Sequence, residues 1–246
     1  MSLRPLTKAA ALDTLRNPFS LFFNFIFPVV MLLAFEMIYM GRYASDGRSF
    51  TDYIVPGILA YGMANSAIFG VGYSMVKWRN HQVLRLISMT PTAPATVYLS
   101  RLLVAIVVAL LQTALCTAVA SLPVFGLHVS SNVYLAPLVV VLGVTAFFSI
   151  GCLIASVAKT PDSVGGVANA LLVPLAFFSG VFFPLPEVAG WIQTISRISP
   201  LRYLVDGLSG SLAGTASVSH VLLMCGLLAG FAAVIMGIAI RVFRWK

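Results

Sequence analysis

Charged residues are scarce in this 246-residue chain, in which Asp, Glu, Lys and Arg together make up 9% of the sequence. An ordinary soluble domain is about 25% charged, and disordered chains are poor in the hydrophobic residues that reach 60% here. The few cysteines, Cys116, Cys152 and Cys225, lie far apart in apolar stretches, which argues against a disulfide framework or a CxxC-type zinc site. The composition therefore predicts a membrane protein whose long apolar stretches are joined by short polar loops.

Motifs of catalysis and phosphate binding are absent from the sequence. No lysine follows a glycine, so a GxxxxGK(S/T) phosphate loop cannot be present, and neither HExxH nor GxSxG occurs. The three histidines and seven carboxylates are scattered along the chain, so they indicate neither a metal site nor an acid/base pair. We therefore expect no catalytic residue, cofactor or metal on this chain. Uphill transport would need energy from a partner or an ion.

Six apolar segments are close to the length of about 20 residues that a bilayer-spanning helix needs. They cover residues 19–40, 54–76, 102–125, 133–157, 164–183 and 218–240. The predicted fold class is all-α: a polytopic membrane protein with six transmembrane helices, in which residues 1–246 form a single transmembrane domain. Residues 1–18 are predicted to form a cytosolic, interfacial lead, in which Leu6 and Ala10 share one face but Leu12 falls outside it.

Basic residues set the predicted orientation, because Lys and Arg accumulate on the cytoplasmic side of membrane proteins. With both termini inside, 11 of the 15 basic residues are cytoplasmic, and those outside are Arg42, Arg48, Arg197 and Arg202. We therefore predict a multi-pass protein of the cell membrane with both termini in the cytoplasm. This asymmetry accounts for the net charge of +8 without a nucleic-acid partner, and membrane lipid is the expected neighbour.

The predicted cytoplasmic loop at 77–101 is longer and more apolar than a plain connection requires. Its apolar residues stand among arginines: Val83, Leu84, Leu86, Ile87 and Met89. Pro91 and Pro94 are expected to end a short helix in this loop. One interpretation is an amphipathic helix at the membrane surface that docks with a cytosolic partner. The other is a basic loop that rests on lipid head groups.

The second long loop, at 184–216, is predicted to lie outside the cell and contains two helical patterns. Apolar residues occur at helical spacing on either side of Pro200: Trp191, Ile192, Ile195 and Ile198, then Leu201, Leu204, Leu208 and Leu212. Arg202 and Asp206 form an i,i+4 pair. Both pieces are too short to span, so they predict re-entrant amphipathic helices in the outer leaflet, with the first face buried against the bundle or lipid. The alternative is a lid that packs over the bundle.

Polar residues inside the predicted spans are few. Glu36 is the one ionisable residue well inside a span, where it either reaches head groups or Arg42, or couples transport to protons. The buried amides are expected to form interhelical hydrogen bonds: Asn24, Asn65, Gln112 and Asn169. The phenylalanines of the first span either face lipid or line a path for apolar substrates. The residues of this candidate substrate path are Phe22, Phe23, Asn24, Asn65 and Asn169.

The segment SGVFFPLPEVAGWIQTISRISPLRYLVDGL at 179–208 resembles a hallmark of type-2 ABC exporter permeases. In that family a Ser-Gly-aromatic run that ends in proline leads into a Trp-bearing amphipathic helix, an Asn- or Ser-Pro-Leu turn and a second helix. The residues that match position by position are Ser179, Gly180, Pro184, Trp191, Pro200, Leu201 and Asp206. Among the subfamilies, the chain looks most like the daunorubicin-resistance type of drug permease.

The loop after the second span is similar to the coupling helix of the same family. The matching residues follow in the expected order: Arg79, Leu84, Leu86, Thr90 and Pro91. His81 and Gln82 depart from the pattern, since many relatives carry Glu and Gly at these two positions. The resemblance implies a coupling helix that docks with an ATPase.

The resemblance implies the permease of an ATP-driven exporter, which moves a drug, a lipid or a lipid-linked molecule out of the cytoplasm or inner leaflet. Its partners would be a separate ABC ATPase, which holds ATP and Mg, and a second permease, identical or different, with two ATPases in the complex. ATPase coupling is implied for Arg79, Leu84, Arg85, Leu86, Ile87, Thr90 and Pro91. Outer gate helices are implied for Ser179, Gly180, Pro184, Trp191, Ile195, Pro200, Arg202 and Asp206.

Two other classes stay open when the residues are read alone. An ion-coupled secondary transporter or channel would use Glu36, and would be expected to carry ionisable groups at the midplane and internal repeats. A membrane scaffold without transport activity would be expected to carry a soluble partner domain on the same chain.

Overall fold

The computed structural model describes residues 3–39, 50–83, 89, 94–122, 125–181 and 190–242, without the side chains of Phe19, Glu36, Tyr39 and Pro94. These residues form helices and connections, and no strand occurs among them. The helices are α1 (Leu3–Leu15), α2 (Pro18–Leu21), a π-helix (Phe22–Ile26), α3 (Phe27–Tyr39), α4 (Phe50–Asn80), α5 (Pro94–Ala120), a 3-10 helix (Ser131–Leu135), α6 (Ala136–Val157), α7 (Pro161–Phe178), α8 (Gly190–Ser196), α9 (Pro200–Leu212) and α10 (Val218–Val242). The all-α class is confirmed.

Five helices in the described ranges are long and apolar enough to cross a membrane: α4, α5, α6 with its preceding 3-10 turn, α7 and α10. The first predicted span is helical from 18 to 39, contains the π-helix, and includes the shorter apolar helix Phe22–Phe35 found among the described residues. Pro28 follows the π-helix closely, and a proline ring crowds the carbonyl four residues earlier, here that of Asn24. The wider π turn accommodates that crowding. The count of six spans stays a prediction.

The boundaries of α4 and α5 correct the loop predicted at 77–101. Helix α4 continues to Asn80, and α5 begins at Pro94, so the ends of two long helices occupy much of this loop. Pro94 begins α5, whereas the short helix that Pro91 and Pro94 are predicted to end falls on residues that are not described. Proline has no N–H to donate and a fixed φ suited to the first helical position, where the N–H has no helical partner.

Helix α6 lies at the centre of the bundle and packs against α4, α5, α7, α9 and α10. Its side chains Phe147 and Phe148 are fully buried. Small residues on α6 let α4 pack closely against it, since a Cβ added to Gly151 would lie 2.7 Å from the carbonyl oxygen of Ile68. This close contact fixes α4, which contributes most to the cavity described below.

Two short helices occupy the predicted outer loop, and they differ in burial. Helix α9 buries the predicted leucine face, whereas the apolar face of α8 stays open: Trp191 is 61% exposed and Ile198 is 80% exposed. Among the described residues, this face meets the bundle through the ring of Trp191, whose centroid lies 6.1 Å from that of Phe178 on α7, and is otherwise exposed. The re-entrant form stays a prediction.

Candidate functional site

A cavity of about 560 Å³ lies between α1, the α2–π segment, α4, α5 and α7. Its lining on α4 extends from Tyr61 to Ser74, and on α5 from Arg101 to Val108. This volume is in the range of about 300–1,000 Å³ that is usual for small-molecule sites. The cavity therefore has the size to hold a drug-sized molecule or part of a lipid.

Helix α4 forms one wall of the cavity with two neighbouring rows of residues. One row carries rings and an amide at every fourth position: Tyr61, Asn65, Phe69 and Tyr73. The other row is small: Gly62, Ser66, Gly70 and Ser74. Positions four apart lie on one face of a helix. The large row supplies contact surface, including a stacked ring pair of Phe69 and Tyr73 at 5.4 Å between centroids, while the small row leaves space.

The α2–π segment forms a second, polar wall. Asn17, Ser20 and Asn24 follow each other at spacings of three and four residues, so they share a face. The Asn17 side-chain oxygen accepts a hydrogen bond from the Ser20 backbone N–H at 3.2 Å, and Asn24 Nδ2 donates to Ser20 Oγ at 3.1 Å. The Asn24 bond lies within one segment, so the predicted interhelical bond of Asn24 is wrong.

An ion pair between the buried Arg101 and the half-exposed Asp13 joins α1 to α5 at the edge of the cavity. Arg101 Nη1 donates to Asp13 Oδ2 at 2.8 Å, and Arg101 is 7% exposed whereas Asp13 is 47% exposed. The guanidinium also lies 4.4 Å from the centroid of the Trp78 ring, in cation–π geometry. Charge counting placed Arg101 on the cytoplasmic side but could not show this pair, because nothing in the sequence links two residues 88 positions apart.

Four of the five residues of the candidate substrate path border the cavity: Phe23, Asn24, Asn65 and Asn169. Phe22 is not part of the lining and is largely exposed. Gln112 is fully buried and finds no hydrogen-bond partner in the described part of the chain, so its predicted interhelical bond is wrong. A Cβ on Gly62 would lie 2.5 Å from Gln112 Nε2, which shows that the amide is tightly packed against α4. Glu36 lies in α3, and its side chain is outside the described residues.

Arg79, predicted for ATPase coupling, holds the turn between α6 and α7. Its Nη1 donates to the Ala155 carbonyl at 3.3 Å, and its Nη2 donates to the Ala158 carbonyl. The neighbouring Asn80 Nδ2 donates to the Lys159 carbonyl at 3.4 Å. A cation at the carboxyl end of α6 also interacts favourably with the helix dipole. Arg79 therefore connects the end of α4 mechanically to the carboxyl end of α6 and the turn that leads into α7.

The remaining coupling residues fall on a part of the chain that is not described: Leu84, Arg85, Leu86, Ile87, Thr90 and Pro91. Just before them, Gln82 adopts a left-handed backbone with φ of 59°, which glycine occupies more easily than residues with a side chain. The helix predicted for this loop stays a prediction.

Ser179 and Gly180 join the end of α7 to two other elements. The hydroxyls of Ser179 and Ser199 lie 2.5 Å apart, and Gly180, with φ of 74°, accepts a hydrogen bond from the Tyr53 hydroxyl at its carbonyl. The backbone of α4 also packs closely against this segment at Gly57, since a Cβ added there would lie 2.2 Å from the Val181 carbonyl oxygen. Sequence reasoning missed the α4 side of this contact.

Arg202 connects the two outer helices. Its Nε lies 3.3 Å from Asp206 Oδ2, which confirms the predicted pair, and its Nη1 donates to Ser196 Oγ at 2.6 Å. Burial raises the pKa of the Asp206 carboxyl, and the positive charge of Arg202 opposes that shift. Pro200 begins α9, Trp191 and Ile195 lie on the exposed face of α8, and Pro184 lies outside the described residues.

Comparisons with known proteins agree with this architecture. The chain is 25% identical to the daunorubicin resistance ABC transporter permease protein DrrB1 of Streptomyces coeruleorubidus, over 90% of this chain and 78% of that protein. It is 26% identical to the inner membrane transport permease YadH of Escherichia coli K12, over 73% and 72%. A match to the linearmycin resistance permease protein LnrN of Bacillus subtilis, at 27% identity, covers 39% of this chain and only 25% of that protein.

The profile of the ABC-2 type transporter family matches residues 2–213. That range holds α1 to α9 and with them every residue of the cavity, the Arg79 contacts and the outer helices. The chain belongs to the ABC-2 type transporter family and is a transport permease.

Proposed function

We propose that this permease is the membrane subunit of an ATP-driven exporter, which moves a hydrophobic or amphipathic substrate out of the cytoplasm or inner leaflet. The observation that carries the proposal is the cavity of about 560 Å³ within a chain of this family. Its wall combines aromatic rings with amides and hydroxyls, a mixture typical of small-molecule sites. A drug, a lipid and a lipid-linked molecule all fit this description.

The energy comes from a separate ABC ATPase that binds ATP and Mg, and two permease copies pair with two ATPases. The ATPase docks on the loop at 77–101. Movement of this loop would reach the turn between α6 and α7 through Arg79. Phe148 on α6 and Asn169 on α7 border the cavity, so the hydrogen bonds of Arg79 support a mechanical route from ATPase to substrate.

The outer helices α8 and α9 close the exit on the opposite side. Arg202 ties them together through Ser196 and Asp206. The contacts of Ser179 and Gly180 attach them to the ends of α7 and α4. These attachments support a gate that moves when α4 and α7 move.

The proposed topology has six spans in the cell membrane, with both termini in the cytoplasm. Single cysteines at Ser131 and Ser88, introduced without the three native cysteines, test it with an impermeant thiol reagent. Ser131→Cys should react from outside intact cells and Ser88→Cys only after the cells are opened. Labelling of Ser88→Cys in intact cells would contradict the orientation.

The coupling proposal is tested with the double variant Leu84→Asp and Leu86→Asp, because interfaces depend on a few apolar anchors. We expect normal insertion but loss of ATPase co-purification and of ATP-dependent efflux from vesicles. Leu122→Asp with Val129→Asp is the matched control, since both residues are exposed on the connection between α5 and α6. If the first double variant keeps both activities, the loop is not the docking site. An ion-coupled transporter would instead be favoured if the protein exports its substrate without any ATPase and the Glu36→Gln variant loses that efflux.

A further inference from the structure

We propose that the cavity selects amphiphiles whose head group is uncharged and rich in hydroxyl or carbonyl groups, and discriminates against charged head groups of either sign. The inference rests on the proposed export function, which it deepens by naming the substrate class. It also differs from what the net charge of +8 suggests, since that charge alone favours anions.

The polar lining of the cavity is almost entirely neutral. Among the described residues that border it, only Asp13 and Arg101 carry a charge, and these two bind each other at 2.8 Å. A charged head group would lose its hydration without gaining a counter-charge, which is strongly unfavourable. Arg101 Nε and Nη2 have no hydrogen-bond partner among the described residues, but both are closed to solvent, so an anion in the cavity would reach this guanidinium only by displacing Asp13.

The neutral lining offers hydrogen bonds that the described part of the chain does not use. Asn65 and Asn169 border the cavity, and neither amide bonds to another described residue, so the interhelical bonds predicted for these two residues are wrong. Each amide carries two donor hydrogens and an acceptor oxygen. Ser66 and Ser74 add hydroxyls on the same helix as Asn65. Hydroxyl and carbonyl groups match these donors and acceptors without introducing a charge.

One wall is suited to the apolar part of the ligand. On α5 the lining residues that follow Arg101 are Val104, Ala105 and Val108, and α6 contributes Phe148. The same cavity is also lined by amides and hydroxyls of the other helices, and this mixture favours a molecule with a polar and an apolar part. An alkyl chain gains about 0.8 kcal/mol for each CH₂ that it buries.

The test uses three photoprobes that share a dodecyl tail with a diazirine and differ only in the head group: maltoside, sulfate and trimethylammonium. The purified full chain in lipid nanodiscs is irradiated without any ATPase, and labelled peptides are mapped by mass spectrometry. We expect saturable labelling of α4, α5 and α7 by the maltoside, and excess unlabelled dodecyl maltoside should compete where the two charged dodecyl compounds do not. Equal saturable labelling by a charged probe would overturn the proposal.

Variants separate the cavity from general partitioning into lipid. Asn65→Leu with Asn169→Leu should weaken maltoside binding about threefold to tenfold for each hydrogen bond lost. The control Thr145→Val removes a hydroxyl outside the cavity, bonded to the Val141 carbonyl, and should bind like the wild type. Asn169→Asp should raise labelling by the trimethylammonium probe and lower labelling by the sulfate.

Unchanged maltoside labelling in the double leucine variant would overturn the proposed head-group selectivity. Because labelling needs neither ATP nor a partner, it measures binding to the cavity separately from export. If the maltoside labels the cavity normally but the complex shows no ATP-driven efflux, the proposed export function is contradicted and the proposed binding site is not. Intact efflux with no preference for the maltoside would contradict only the substrate class.

Discussion

Gly70 is the position at which the cavity can be reduced in volume without disturbing the surrounding helices. It borders the cavity on α4, and a Cβ added to it meets no atom within 4 Å. A cavity of about 150 Å³ is enough for benzene, so the ring of Gly70→Phe would occupy on the order of a quarter of the 560 Å³. The change therefore blocks part of the proposed substrate site.

The fold should tolerate Gly70→Phe. Glycine inside a helix is unfavourable by roughly 0.5–1 kcal/mol relative to alanine, so its replacement does not weaken α4 itself. A substrate that must share space with the new ring should lose about 1–3 kcal/mol of binding, as overpacking does in protein cores. That loss corresponds to roughly fivefold to hundredfold weaker binding.

The assay compares Gly70→Phe with Gly226→Phe, a glycine on α10 that also has open space around its Cβ and does not border the cavity. Both variants should show a wild-type unfolding midpoint and co-purify with the ATPase. Only Gly70→Phe should lose ATP-dependent efflux of a compound that the wild-type complex exports. Wild-type efflux in a stable Gly70→Phe variant would refute the assignment of the cavity as the substrate path.

Three further changes test two contacts between helices and one backbone conformation, and the stability of each variant is measured by thermal unfolding. Gly57→Ala should lower the free energy of unfolding by about 1–3 kcal/mol, because its Cβ would lie 2.2 Å from the Val181 carbonyl oxygen; full stability would show that the two backbones are not in contact. Gln82→Gly should raise stability by about 1 kcal/mol, since a left-handed φ strains residues with a side chain, and a loss would contradict this conformation. Arg79→Met should cost about 1.5–3 kcal/mol through its lost carbonyl bonds, whereas Lys77→Met at an exposed position should change little; equal effects would exclude a special role for Arg79.

The membrane class and most helix positions could be predicted from the sequence, because they depend on local properties. The predicted span at 133–157 lies within the 3-10 turn and α6, Ser131–Val157, and the last one within α10, since long apolar stretches favour helices in lipid. Helix α7 begins after Thr160, whose side chain and that of Ser163 cap it reciprocally, a signal that is also local. The motif at 179–208 likewise identified the family that residues 2–213 match.

The cavity and its neighbours could not be predicted, because they depend on which helix faces pack together. Asp13 and Arg101 are 88 positions apart, and Arg79 contacts a carbonyl 79 positions away, so no local spacing indicates either contact. Asn65 and Asn169 could be listed from the sequence as polar residues inside spans. Only the packing of α4 against α6 and α7 places both at one cavity, because helix rotation and crossing are decided by side-chain fit between distant segments.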